Sequence, residues 1–270
     1  MVANNLRLEG RTLESFRLRS MVIDLNADVG ESFGTYRIGE DAALLSVVSS
    51  ANVACGVHAG DALTAWRTLQ ACVQKGVAVG AHVGHRDLYG FGRRELQISP
   101  EEAYAETLYQ IGSLRAMLRV LDAPLPHVKA HGALYNQMTR DEALCRAVAR
   151  GVRDFSQTLR VVVLAGSRAA TWARSEGCAV IEEAFLDRGY AADGSLLPRS
   201  SHGAVLCDPR AVAARALGFA QDGAVAAITG ERLELRAQTL CVHGDTPGAV
   251  ALARAARDAL EAAGVTVQAF

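Results

Sequence analysis

Side chains able to move protons recur in this sequence just after short apolar runs. Asn26, Asp28 and Glu31 follow the first run, Asn52 and His58 the second, and His82 the third. Lys129 and His131 follow the fourth, Glu182 and Glu183 the sixth, and His243 and Asp245 the seventh. Imidazoles and carboxylates are the usual general acids and bases, and a lysine ammonium can stabilise a developing oxyanion. The same groups suit a divalent metal, for which Asp28, His58 and His131 are the natural trio. Residue types alone leave the metal and metal-free chemistries both open.

Taken singly, each of these residues has an ordinary structural use. A histidine after a strand is more often a hydrogen-bonded turn residue than a catalyst, and Asp28 or Asp61 can simply cap a helix. Recurrence is what points to an enzyme: His58, His82, His131 and His243 take equivalent places, whereas His85, His127 and His202 do not. Gly90-Phe91-Gly92-Arg93-Arg94 matches neither a Walker loop nor GxGxxG, and its arginines suit either a carboxylate or phosphate grip or an exposed turn. Neither HExxH nor GxSxG occurs.

The elements that must position these groups alternate as strand, turn and amphipathic helix. Strands are expected over Val22–Asn26, Ala51–Cys55, Val77–Ala81, His127–Ala130, Arg160–Leu164, Ala179–Ile181 and Thr239–Val242, with a short last strand or tail at Val265–Ala269. Asp61 caps a helix over about 62–75 that Gly76 ends. Ser99-Pro100-Glu101-Glu102 is a capping box opening a long helix to about Leu121, and Thr139-Arg140-Asp141-Glu142 reads as a second box. Asp208-Pro209 and Thr246-Pro247 open two more helices, which end at Gly223 and Gly264. About seven strands alternating with helices imply a parallel sheet with both faces covered, hence near-continuous apolar strand cores. A closed or nearly closed α/β barrel is the first expectation and a doubly wound open sheet the second. In either, strand C-termini share one face, so residues scattered through the chain converge on one pocket.

A chain of 270 residues, 50% hydrophobic and 21% charged, can bury a core without staples. The net charge of −1, with no basic patch, argues against nucleic acid or an anionic membrane as partner. No apolar run is long enough to span a bilayer. Six scattered cysteines without a CxxC pair suggest neither a zinc knuckle nor disulfides, as expected of a cytoplasmic protein. Residues 1–20 are Arg-rich, without a signal-peptide core or strand pattern, and are expected to be a flexible extension, with a transit peptide as the second reading. Residues 21–270 are expected to be a single catalytic domain.

Four motifs together resemble the LamB/YcsF family: Asp24–Gly34, Ala51–Asp61, Lys129–Asn136 and Cys241–Pro247. Between them lie Gly80-Ala81-His82, Gly90–Arg94 and Asp187-Arg188-Gly189-Tyr190, in family order, so the resemblance runs from Met21 to near the C-terminus. It implies a distorted seven-stranded parallel β/α barrel related to polysaccharide deacetylases. It further implies ATP-dependent opening of the 5-oxoproline lactam to glutamate, in a complex with two further subunits, B and C. ATP is then a co-substrate, accompanied by Mg in the complex. The site implied has Asp28, His58, Lys129 and His131 as catalytic groups, with Asp28 or a strand-end histidine as base and Lys129 and His131 facing developing charge. Asn26, Glu31, Asn52, His82, Arg93, Glu183, Arg199, His243 and Asp245 surround the substrate, with Arg93 or Arg199 gripping its carboxylate. Val57, Ala62, Val83, Ala130 and Leu186 depart from the family pattern and are expected to reshape pocket walls and loops. The residues by themselves also fit a stand-alone metal-dependent deacetylase or amidohydrolase, or a non-catalytic substrate-binding subunit.

Overall fold

The structure, a computed structural model, describes residues 21–270; the expected N-terminal extension, residues 1–20, lies outside the described residues. In chain order the elements are β1 (Val22–Val29), α1 (Asp41–Leu44), β2 (Ser50–Ala54), α2 (Ala62–Lys75), β3 (Ala78–Val83) and α3 (Pro100–Val120). There follow β4 (His127–Ala130), α4 (Gly132–Met138), α5 (Glu142–Phe155), β5 (Arg160–Leu164), α6 (Arg168–Ser175) and β6 (Ala179–Phe185). The chain continues with α7 (Pro209–Leu217), the hairpin β7 (Ala224–Ala226) and β8 (Arg232–Glu234), then β9 (Thr239–His243), α8 (Ala249–Ala262) and β10 (Thr266–Val267).

Strands β1 to β6 pair successively in parallel, and β9 pairs with both β6 and β1. That double pairing closes a seven-stranded ring and removes the open-sheet alternative. Strand β10 adds only two residues to the outer edge of β1, Val22 opposite Thr266 and Ile23 opposite Val267.

The strand cores depart from the expected apolar runs in an informative way. Along β1, Asp24, Asn26 and Asp28 alternate with Leu25, Ala27 and Val29, and all six are buried. The apolar set joins the core beneath the helices, while the polar set bonds across the barrel to β2, β4 and β9. The interior of this barrel is therefore a hydrogen-bonded network, where a (β/α)8 barrel usually stacks branched aliphatic side chains.

Four expectations are corrected. Strand β6 runs on to Phe185, not Ile181: Glu182 faces out to Arg174, and Glu183 faces in to Lys129, so this acidic pair is strand interior and not strand end. Thr139 is no N-cap; it ends the unanticipated helix α4, and Asp141 caps α5 by accepting from the Leu144 amide. Helix α8 starts after Gly248 and not at Pro247, because the Thr246 hydroxyl is committed to Asp187. The hairpin β7–β8 has no counterpart among the expected strands, each of its arms being only three residues long. The Ser99–Glu102 capping box and the Asp61 and Gly76 caps form as expected.

Candidate functional site

One cavity of about 910 Å³ opens at the C-terminal ends of the strands. Asp28, His82, Lys129, His131, Phe185 and His243 line it from the barrel, and Arg93, Arg188 and Arg199 from the loops. Asn26 and Asn52 lie beneath these residues, fully inside the ring.

Lys129 is the hub of the interior. Its ammonium reaches Asp28 Oδ1 at 3.0 Å, Glu183 Oε1 at 2.9 Å and Cys241 Sγ at 3.2 Å. Asn26 donates to Glu183 at 2.9 Å, and Asn52 donates to Asn26 at 2.8 Å and Asp28 at 2.9 Å. His127 Nε2 meets Asn52 Oδ1 at 2.9 Å. There is room for that ring because residue 80 is glycine: a Cβ there would sit 2.0 Å from His127 Nε2. Burial opposes charge on Lys129, yet the carboxylate of Asp28, the Cys241 sulfur and Glu183 raise its pKa well above the usual amine value. Burial likewise works to raise Asp28, but His82 and Lys129 outweigh it and hold the carboxyl far below the usual range. Asp28 and Lys129 are therefore a charged pair, of the kind that a buried site tolerates only with complementary hydrogen bonds.

A second group stands beside it. Glu31 Oε1 lies 3.5 Å from His58 Nε2 and 3.6 Å from His131 Nδ1, and His131 Nδ1 lies 3.0 Å from His82 Nε2. The His58 and His131 rings stack 3.9 Å apart. Gly92, at φ +62°, passes so close above them that a Cβ would come within 2.7 Å of His58 and 2.8 Å of His131. Burial first, then the Asp28 charge, raises Glu31 well above the carboxylate range. Burial and neighbouring histidines lower His58 and His131 well below the imidazole range. Four potential ligands thus converge as Glu31, His58, His82 and His131, while Asp28 falls in a separate group with Cys241 and His243. The expected trio of Asp28, His58 and His131 is split between the two groups.

The third feature is a dyad. His243 Nδ1 is 2.9 Å from Asp187 Oδ1, and Asp187 also accepts from the His243 amide at 3.1 Å and the Thr246 hydroxyl at 2.6 Å. Burial works to raise Asp187, but His243 and these donors bring it down to about 2. With Nδ1 engaged, Nε2 is the free nitrogen of a ring that lines the cavity against Phe185. An imidazole oriented by a buried carboxylate is the arrangement of a general acid–base catalyst. Asp187 is the site residue that sequence reasoning missed. Its signal is present in the sequence, because ending β6 four residues later places Asp187 at that strand's mouth.

At the rim, Arg93 contacts Asp245 at 2.6 Å and Arg199 approaches it at 3.6 Å. Asp245 thus holds both arginines beside the cavity and is not itself part of the lining. Arg93, Lys129, Arg140, Arg168, Arg188 and Arg199 outnumber the lining acids Asp28, Glu95 and Asp193, which favours an anionic guest. Of the five departures Val57, Ala62, Val83, Ala130 and Leu186, Ala130 alone lines the cavity.

The model of the LamB/YcsF family matches residues 23–270. The chain is 51% identical over 245 residues to the A subunit of 5-oxoprolinase from Symbiobacterium thermophilum, covering 91% of this chain and 94% of that one. It is 49% identical over 247 residues to the A subunit of 5-oxoprolinase from Pyrococcus furiosus, covering 92% and 97%. Among solved structures, the lactam utilization protein from Thermus thermophilus superposes with a TM-score of 0.88 at 48% identity, over 93% of this chain and all of that one.

Proposed function

This chain belongs to the LamB/YcsF family, and from that premise we propose that it is the A subunit of an ATP-dependent 5-oxoprolinase. It acts in the cytoplasm with subunits B and C to open the lactam of 5-oxoproline to glutamate. The observation that carries this reading is the cavity itself: ionised Asp28 and the oriented His243 face one space beneath a cationic rim. Its relatives carrying the 5-oxoprolinase name match over almost their whole length.

A lactam is an unactivated amide. ATP, held with Mg by the assembled complex, activates it by transferring its γ-phosphoryl group to the lactam oxygen. Water then adds to the ring carbon, the carbon–nitrogen bond breaks as the nitrogen takes a proton, and a second water hydrolyses the acyl phosphate so left, which releases phosphate and the new carboxylate. His243 Nε2 exchanges the protons, with Asp187 fixing its tautomer. Asp28 orients the water. Lys129 has all its protons committed within the barrel, so its part is to keep Asp28 ionised and in place. Arg199 or Arg93 grips the substrate carboxylate, released in part from Asp245.

The test is reconstitution. With B and C present, 5-oxoproline should yield glutamate and ADP in equal amounts, and Asp28→Asn and His243→Ala should each lower turnover by about 10²–10⁴-fold. Full activity in both variants would overturn the site, and full activity of this chain without ATP would overturn the activation step.

A further inference from the structure

We propose that Glu31, His58, His82 and His131 form a binding site for one divalent transition-metal ion, of the zinc class, in the wall of the cavity. The case rests on where the protons must be. His131 Nε2 meets the Phe91 carbonyl oxygen at 2.8 Å, and His82 Nδ1 meets the Lys129 carbonyl oxygen at 3.2 Å. A carbonyl only accepts, so each of these nitrogens carries the hydrogen and donates it. In the neutral rings the remaining nitrogens, His131 Nδ1 and His82 Nε2, are therefore lone pairs, and they face each other at 3.0 Å. Two lone pairs at that distance require a cation between them or nearby.

The surroundings supply the rest of a coordination shell. Glu31 Oε1 and His58 Nε2 are buried and have no hydrogen-bond partner among the described residues. They lie 3.5 Å from each other, and Glu31 Oε1 lies 3.6 Å from His131 Nδ1. Ligands about 2.0–2.1 Å from a tetrahedral zinc stand about 3.3–3.4 Å apart, so the spacings of 3.0 to 3.6 Å bracket the required edge. Imidazole ligands whose second nitrogen donates to a backbone carbonyl are the usual supporting arrangement of metal-bound histidine. Three nitrogens with one oxygen select zinc-like ions over Mg²⁺ or Ca²⁺, which prefer oxygen. The His58 and His131 rings, parallel to within 6°, must tilt for both lone pairs to converge on one ion. The competing occupant is a proton on His82 Nε2, shared between His131 at 3.0 Å and Asp28 Oδ2 at 3.3 Å.

This inference stands apart from the substrate reading, because binding and not turnover measures it. Full-length protein is stripped with a chelator and titrated with ZnCl₂ by calorimetry. A Cys207→Ser background removes the one exposed thiol among the described residues. One equivalent of Zn²⁺ should bind, MgCl₂ should give no heat, and X-ray absorption should find nitrogen and oxygen ligands near about 2.0–2.1 Å without sulfur near about 2.3 Å. Glu31→Gln and His58→Leu, verified as folded by circular dichroism, should each weaken binding at least tenfold. Absence of zinc uptake by the folded parent would establish the proton as occupant and overturn the proposal. Undiminished uptake in both variants, or sulfur in the shell, would also overturn it, the latter by placing the ion with Asp28, Cys241 and His243.

Discussion

Two polar groups lie side by side in this barrel and are built on opposite principles. Around Lys129 a charge is matched by charge: Asp28, Glu183, Cys241 and Asn26 receive the ammonium, and the asparagines tie the shell together. Around Glu31, the buried Glu31 Oε1 and both His58 nitrogens have no hydrogen-bond partner among the described residues. A network built around matched charges is part of the scaffold, since breaking it exposes an uncompensated charge. An incomplete one is a place where a ligand finishes the structure. Asp28 joins the two, with one oxygen toward Lys129 and the other toward His82.

The contrast is most easily broken at its centre. Lys129→Met leaves Asp28 and Glu183 facing each other in the interior, and is expected to cost about 3–5 kcal/mol in denaturant unfolding. A loss under about 1 kcal/mol would mean that the network is not structural. Asp187→Asn comes next. It keeps the shape but removes the charge that orients His243, and should lower turnover of the reconstituted complex by about 10²-fold or more while leaving KM for 5-oxoproline near its parent value.

Acid provides a graded version of the same test. Asp187 sits at about 2 when folded, below the ordinary aspartate value of 3.8, so its contribution to stability is present above pH 3.8 and is lost as pH falls toward 2. The shift corresponds to about 2 kcal/mol. The Asp187→Asn variant should therefore show a shallower loss of stability as pH falls from about 4 to about 2, read from unfolding midpoints, and parallel curves would refute the assignment. The smallest effect is expected at the incomplete group. In metal-free protein, His58→Leu replaces a ring with unpartnered nitrogens by an apolar side chain and should change stability by less than about 1 kcal/mol. A loss as large as that of Lys129→Met would erase the difference between the two regions.

Much of this molecule is legible in one dimension. The caps at Asp61, Ser99 and Gly76 work through residues within four positions of themselves, so local sequence carries their full signal. The strand-end histidines are equally visible, because parallel strands must deliver their C-termini to one face. Strand β6 shows the limit. Its Glu182-Glu183 reads as polar and hence as an end, and only the presence of Lys129 across the barrel makes a buried glutamate acceptable within the strand. Thr139 reads as a cap for the same kind of reason: α4 is only seven residues long and five of them are buried, so tertiary packing and not amphipathic patterning sustains it.

The sequence by itself determined the chemistry available and the end of the barrel where it gathers, since residue type and strand order are properties of the chain. Closure of the ring, and the partition of one acid–base cluster into a charge-matched network, an open ligand set and an Asp187–His243 dyad, were decided by tertiary structure. Asp187 and His243 are separated by 56 residues and Lys129 and Asp28 by 101. Which of two equally polar side chains meets a given partner at such separations depends on barrel register to within an ångström. No local pattern encodes that distance.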